Sequence, residues 1–454
     1  LFLSDSEFWR SQMKTKQFLR YALIFSVGLF FVGPAFTQLP PTEPVADGTT
    51  ATATVPVAHV YVATTQGVYL YDAAASGKLT LVSGSPFKTK GLMVGSNGKY
   101  FFSVDPYLAS QLPNGANWIH SYPVTSNGTI KAQVSQINMQ DYTGADCGNT
   151  VVPIGQRVAV LDHSGQHLYV LLGGSSQNCN ALQSFAIGKY SGALTFKGAV
   201  ESGYASYFYL PSFIANDKFA YANVASAPAP MTAFIRDSND VLQFWNFKET
   251  DPAPWSTYPV WIQAAVTADP TNHLAVVLQG FDPSVGEANY LQLASYTVDS
   301  VGNIVSTNRT ADMPTPEVCP LAMRMSPTGK LLAIGGAGNA PGQAECVLAS
   351  AAAGNSKDSG ATTPPGSSGF GAGLQVFHFN GANPITSYSG KLTSDTIYFI
   401  QWDKANHLYA TSWNKLYVFT VTPTSISQAP GSPYALKISP TSSYGAAGLI
   451  VVPQ

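Results

Sequence analysis

Ser96-Asn97-Gly98-Lys99-Tyr100-Phe101-Phe102 and His163-Ser164-Gly165-Gln166-His167-Leu168-Tyr169 share one plan: a polar turn with glycine third, then an apolar strand. The frame recurs at Ala215-Asn216-Asp217-Lys218-Phe219-Ala220-Tyr221 and at Pro270-Thr271-Asn272-His273-Leu274-Ala275-Val276. It returns at Pro327-Thr328-Gly329-Lys330-Leu331-Leu332-Ala333 and at Lys404-Ala405-Asn406-His407-Leu408-Tyr409-Ala410. Gly, Asn or Asp at the third place suits a hairpin that needs positive φ. The alternation that follows suits a half-buried strand. His59-Val60-Tyr61-Val62 is a further copy without its turn.

A second hairpin follows in several repeats. Ser76-Gly77-Lys78-Leu79-Thr80 matches Ser191-Gly192-Ala193-Leu194-Thr195, and Asn127-Gly128-Thr129-Ile130 and Gly302-Asn303-Ile304 are looser versions. Each unit therefore reads as four short antiparallel strands. The positions aligned with Tyr61, namely 102, 169, 221, 276, 333 and 410, lie roughly 40 to 80 residues apart, as blades with loop insertions do. The seams give seven units. The first lacks an inner strand, and the apolar end Gly448-Leu449-Ile450-Val451-Val452 is left over. The expectation is an all-β, seven-bladed β-propeller closed by strand exchange between the chain ends, which removes exposed sheet edges.

Composition agrees. Of 454 residues, 45% are hydrophobic and only 11% charged, with 40 Gly and 31 Pro. That favours strands and turns over helices, whose wet faces need Glu, Lys and Arg. A formal net charge of −2 argues against a phosphate-tracking nucleic-acid binder, which needs a basic stripe. Met13, Lys14, Lys16 and Arg20 followed by the apolar run at 21–32 read as a secretory signal over residues 13–38, with 1–12 as mis-annotated upstream sequence. The run is short for a spanning helix, so no membrane span is expected in the mature chain. Residues 39–55 read as a Pro- and Thr-rich linker and 56–454 as the propeller. The expected location is extracytoplasmic, secreted or periplasmic, in a bacterial host.

Gly77-Lys78-Leu79-Thr80 before Gly84-Ser85-Pro86-Phe87, and Gly431-Ser432-Pro433-Tyr434 near the end, resemble the "G-x-L-T … G-S-P-F" blade ends of the lactonase-like, Tyr-Val-Thr-Asn-repeat propellers, the 6-phosphogluconolactonase-like family. The resemblance covers nearly all of residues 58–454 and is strong in the first and last blades. It implies a pocket where inner strands bring His and Arg to the channel mouth, with a Glu on the following strand. Those residues do not carry over. Blade three offers Pro153-Ile154-Gly155-Gln156-Arg157, blade four Tyr209-Leu210-Pro211-Ser212 followed by Asn223-Val224-Ala225, and blade six Pro320-Leu321-Ala322. The corresponding inner-strand positions hold Lys90, Arg157, Tyr209 and Tyr398, with Arg324 and Gln401 deeper. Cations among aromatics can hold a carboxylate, phosphate or sugar. No general acid or base is evident beside them.

Four cysteines in an exported chain invite pairing. Cys147 and Cys179, and likewise Cys319 and Cys346, fall in matching loop types of blades three and six. The expected pairs are Cys147–Cys179 and Cys319–Cys346, with the stretch 343–373, rich in Ala, Gly and Ser, as a mobile insertion. No CxxC spacing marks a metal site. His167, His273 and His407 occupy one repeat position on three blades and cannot converge, so neither metal nor cofactor is expected. Trp402-Asp403 lacks the Gly-His partner of a WD40 repeat, and Gly335-Gly336-Ala337-Gly338 lacks the setting of a dinucleotide loop. A quinone-dependent dehydrogenase would need a tryptophan-docking repeat, which is absent.

Two readings remain. One is a monomeric binding or scaffold propeller that takes a small anionic or sugar-like ligand, or a protein or glycan partner. The other is a divergent hydrolase of sugar lactones. In that reading Arg157 and Lys90 stabilise an oxyanion, with Glu201, Asp240 and Asp269 as the carboxylates to test.

Overall fold

The structure is a computed structural model that describes residues 55–105, 118–139, 151–152, 159–174, 180–201, 211–222, 231–248, 260–282, 287–308, 313–337, 371–438, 446 and 448–454. The expected leader and linker up to residue 54, and most of the 343–373 insertion, lie outside these residues. So do Arg157, Tyr209, Cys147, Cys179 and Cys346.

The described residues form seven antiparallel sheets and no α-helix. The architecture is a seven-bladed β-propeller. Five sheets have four strands; those of blades three and seven gain a fifth short one. Blade one is built from both ends of the chain. Its second strand, Ala58–Thr64, pairs with Gly67–Ala73 on one side and with Gly448–Pro453 on the other, in the register Tyr61 to Ile450 and Val62 to Leu449. The leftover apolar segment is therefore the missing inner strand.

No single core fills the molecule. Seven apolar clusters form instead, and each lies between two neighbouring blades. Tyr61, Phe101 and Ile450 join blades one and two, Phe102 and Phe185 join two and three, and Tyr169 and Phe234 join three and four. Tyr221 and Leu278 join four and five, Met323 and Leu293 five and six, and Trp402 and Val376 six and seven. Val60, Tyr409 and Leu449 close seven onto one. A strand with apolar residues on both faces suits this arrangement, because each sheet is sandwiched by its neighbours. That is why Ala58–Thr64 is buried along its whole length.

The turn from inner to second strand is the quoted sequence frame. Its cap residue bonds to the first residue of the second strand: Asp162 N to His167 O in blade three, but Asp269 N to His273 O and Asp403 N to His407 O in blades five and seven. The latter two turns are one residue shorter. The sequence frame that set positions 276 and 410 beside Tyr169 is thus one residue out. Register places Ala275 and Tyr409 there, opposite Thr267 and Gln401, as Tyr169 lies opposite Val160.

Cys319 opens the inner strand of blade six, is buried, and is disulfide-bonded. Its expected partner, Cys346, is among the residues not described.

Removing the Ile450 side chain leaves a hole between blades one and two. Ile450→Ala is expected to cost about 2–4 kcal/mol in urea unfolding; a loss below about 0.5 kcal/mol would show that the C-terminal strand is not part of the packed ring.

Candidate functional site

The inner-to-second and third-to-outer turns emerge at one end of every sheet, because the strands alternate in direction. This face carries most of the charged hydrogen bonding. Asp162 caps the turn of blade three: one carboxylate oxygen accepts from Gln166 N (3.1 Å) and His167 N (3.2 Å), the other from His167 Nδ1 (2.8 Å) and Ser164 Oγ (2.9 Å). Asp403 accepts from His407 N (2.8 Å), His407 Nδ1 (2.7 Å) and Tyr409 Oη (2.9 Å), with Asp403 and His407 both buried. Asp269 repeats the device with His273. Asp side chains favour this role because they satisfy free backbone N–H groups in tight turns.

The histidine of each pair then meets the next blade. His59 lies against the turn at Gly128, where a Cβ would come within 2.8 Å of the ring, and His273 lies against Gly381 at 2.9 Å. Both glycines have positive φ, 79° and 58°, so the turn and the close approach require the same residue. His407 faces Gly77 of blade one, and His167 Nε2 faces Asp240 of blade four at 3.5 Å. The repeated histidines are inter-blade clasps, and among the described residues no group of His, Cys, Asp and Glu could hold a metal ion.

Blades three and four have the densest clasp. Arg236 crosses to Asp162 (2.9 Å) and lies over the rings of Tyr169 and Phe213. Asp217 accepts from the His163 ring (2.6 Å) and from the backbone of His163 and Ser164. Burial by itself would raise the Asp162 pKa, but hydrogen bonds from His167 and Ser164 and the Arg236 charge outweigh it and hold the pKa at about 2. The hydrogen bond to Asp217 raises the His163 pKa. Asp240 and Asp269, two carboxylates proposed for hydrolysis, are thus turn residues on this face. The side chain of Glu201, at the end of Leu194–Glu201, is not described.

The inner strands differ from the turns. Leu92–Ser96, Val151–Val152, Ala159–Leu161, Ser212–Phe213, Val260–Ala268, Cys319–Met325, Phe399–Trp402 and Gly448–Pro453 contain one charged residue, Arg324. Arg324 is solvent-exposed, yet protein crowds it closely enough that desolvation lowers its pKa. An accessible but crowded side chain is what the inner edge of a closed ring provides. Arg324 makes no ion pair among the described residues; its guanidinium reaches only the Met323 carbonyl, at 3.4 Å. Its own carbonyl accepts from Trp402 Nε1 at 3.3 Å. Gln401, half-buried, is on the neighbouring inner strand.

Lys90 and Tyr398 are at the opposite end. Lys90 is exposed and precedes the inner strand of blade two; its backbone N–H donates to Tyr122 Oη (2.8 Å), and its carbonyl accepts from Ser103 Oγ. Tyr398 precedes the inner strand of blade seven, and burial raises its phenol pKa. The nearest carboxylate along the chain, Asp395, is held by Lys415 (3.0 Å) and Tyr417 (2.6 Å). Of the six expected ligand residues, the structure sets Arg324 and Gln401 on adjacent inner strands and keeps Lys90 and Tyr398 at the other end. Asp162 and Asp403 were missed in sequence and Asp269 was read only as a candidate for hydrolysis, although all three stand four or five residues before a histidine.

Solved structures share this fold. A candidate 6-phosphogluconolactonase from Bacteroides uniformis superposes with a TM-score of 0.53 over 87% of this chain and 99% of its own, at 11% identity. A second, from Bacteroides fragilis, gives 0.51 over 89% and 100%, at 12% identity. The fold is that of a lactonase-like propeller. No family model and no curated protein matches the chain. At such identities the likeness lies in the ring of sheets, and the residues within it are this chain's own.

The Asp162 clasp gives a pH signature. Its folded pKa, about 2, lies below the ordinary 3.8. It therefore adds stability above the unfolded value that is lost as pH falls through the folded one. Asp162→Asn is expected to be less stable than the parent near neutrality, and the gap to narrow by roughly 2 kcal/mol between about pH 5 and about pH 2. A pH-independent gap in urea unfolding would contradict this.

Proposed function

We propose that this protein is an extracytoplasmic, monomeric propeller that binds a small anion in its central channel, with Arg324 as the recognition cation and Gln401 beside it. The observation that carries the reading is the lone charge. Among the described inner strands only Arg324 is ionised; it is accessible, and among the described residues no carboxylate pairs with it. Crowding a guanidinium without a partner costs free energy, and an anionic ligand removes that cost through charge-assisted, bidentate hydrogen bonds.

The same surroundings argue for binding rather than turnover. Asp395 and Asp403, the described carboxylates nearest in sequence to Tyr398 and Gln401, are bonded elsewhere, to Lys415 and His407, and so are not free to act as a general base. The fold likeness makes sugar lactones the first substrates to try. Export rests on the signal-like residues 13–38. The pairings Cys147–Cys179 and Cys319–Cys346 belong to the same proposal, with the cystines tying loops of blades three and six.

A thermal-shift screen of carboxylates, phosphate, sugar acids and sugar lactones tests the reading. A ligand at about one hundred times its Kd is expected to stabilise by about 2.7 kcal/mol. Arg324→Met, which keeps the apolar stem, should weaken binding about tenfold to a hundredfold. Stabilisation that survives Arg324→Met would contradict the site. Lactone turnover abolished by that substitution would contradict the non-catalytic reading.

A further inference from the structure

Blades one and seven turn from second to third strand with two residues each, Thr65-Gln66 and Trp413-Asn414, between the pairs Thr64 to Gly67 and Ser412 to Lys415. Blades two to six insert four or more residues there. In blade one the tip is engaged by its own blade: Gln66 O accepts from Lys88 Nζ (2.8 Å) and Gln66 Oε1 from Tyr69 Oη (2.8 Å). Blade seven instead presents an indole, with Trp413 43% exposed. The backbone of this turn is pinned by later chain. Leu436 N donates to Asn414 O (2.8 Å) and Ala446 N to Trp413 O (2.9 Å). A large flat ring held in water on a fixed backbone forgoes the stabilisation that burial would give the fold.

Polar groups gather at the foot of the same turn. Asp395, in the connection leading into blade seven, accepts from Tyr417 Oη (2.6 Å) and Lys415 Nζ (3.0 Å), both on Oδ2. Its Oδ1 accepts no hydrogen bond among the described residues. Tyr417 and then Lys415 hold the Asp395 pKa below its ordinary value, so it is an ionised acceptor at neutral pH. Ser412, next to Trp413 in the chain, lies near enough to add to that lowering. Yet the buried hydroxyls of Ser412 and Thr411 are without a hydrogen-bond partner, which marks unfilled bonding capacity beside the carboxylate. Lys415 gives one of its three N–H donors to Asp395. The pair is partly exposed and its two charges cancel.

We propose that this end of blade seven binds a neutral sugar, with a pyranose ring on Trp413 and its hydroxyls on Asp395, Lys415 and Asn414. A pyranose carries C–H groups across its face and hydroxyls around its rim, each of them donor and acceptor. The turn offers the matching set: an apolar plane, a carboxylate oxygen, ammonium donors and an amide. A cationic ligand is better served by a carboxylate without a lysine, and an anion by a lysine without a carboxylate. Consecutive Cα atoms are about 3.8 Å apart, and Ser412 links Trp413 to Asp395, so the indole and the ion pair fall within the length of a disaccharide. The proposal does not depend on the reading of Arg324.

Isothermal titration of the full chain with methyl β-glucopyranoside, cellobiose, cellotetraose, methyl β-glucuronide and choline tests it. All-equatorial rings are chosen because their C–H faces are the flattest. The neutral sugars are expected to bind saturably, cellobiose tighter than the monosaccharide, and the glucuronide no tighter than the glucoside. Trp413→Ala should weaken the neutral sugars more than about tenfold, and Trp413→Phe, which keeps a smaller ring, should weaken them less. Asp395→Asn should cost about threefold to tenfold in affinity; if that variant does not fold, Lys415→Met takes its place with the same expected loss. No saturable binding of a neutral sugar, affinity unchanged in Trp413→Ala, or choline or the glucuronide bound tighter than the glucoside would each overturn the proposal.

Discussion

Everything in this molecule depends on the contact between its two chain ends. A four-stranded blade exposes two apolar faces and cannot bury either alone. Each of the seven clusters is shared by two blades, so every blade needs both neighbours. The segment Gly448–Pro453 meets that need twice: it completes the sheet of blade one, and its side chains Ile450 and Leu449 enter the clusters on either side of that blade. A chain that stopped before it would leave an unpaired edge at Ala58–Thr64 and two open interfaces.

Closure also sorts the chemistry. On the turn face, histidine and aspartate side chains are consumed in holding blade to blade, through Asp162, Asp269 and Asp403 and the rings that rest on neighbouring turns. Six of the seven histidines pair with an aspartate in this way or within their own blade. Groups tied up so thoroughly are poor candidates for catalysis. The inner strands, relieved of that duty, carry among the described residues one charged side chain, Arg324. The polarity that holds blade to blade is thus concentrated on the turn face.

Much of the fold was legible in the sequence, because turn chemistry and strand alternation act locally. Glycine at 98, 165 and 329 and Asn406 mark turns with positive φ, and the orphan apolar segment at the C-terminus announced the closing strand. Exact register was not legible, since a turn shortened by one residue in blades five and seven shifts every later position while keeping its composition. The candidate site was legible only as a set of inner-strand positions. Whether Arg324 has a partner depends on which carboxylates the other blades have already engaged, and that is a property of the closed ring.

Hydrogen–deuterium exchange of residues 448–454 against residues 58–64 tests the closure directly. If the two segments are strands of one sheet, their amides open together, with protection matching that of the second strands of the other blades. Rapid exchange at 448–454 while 58–64 stays protected would contradict the account, because the ring would then have no closing strand.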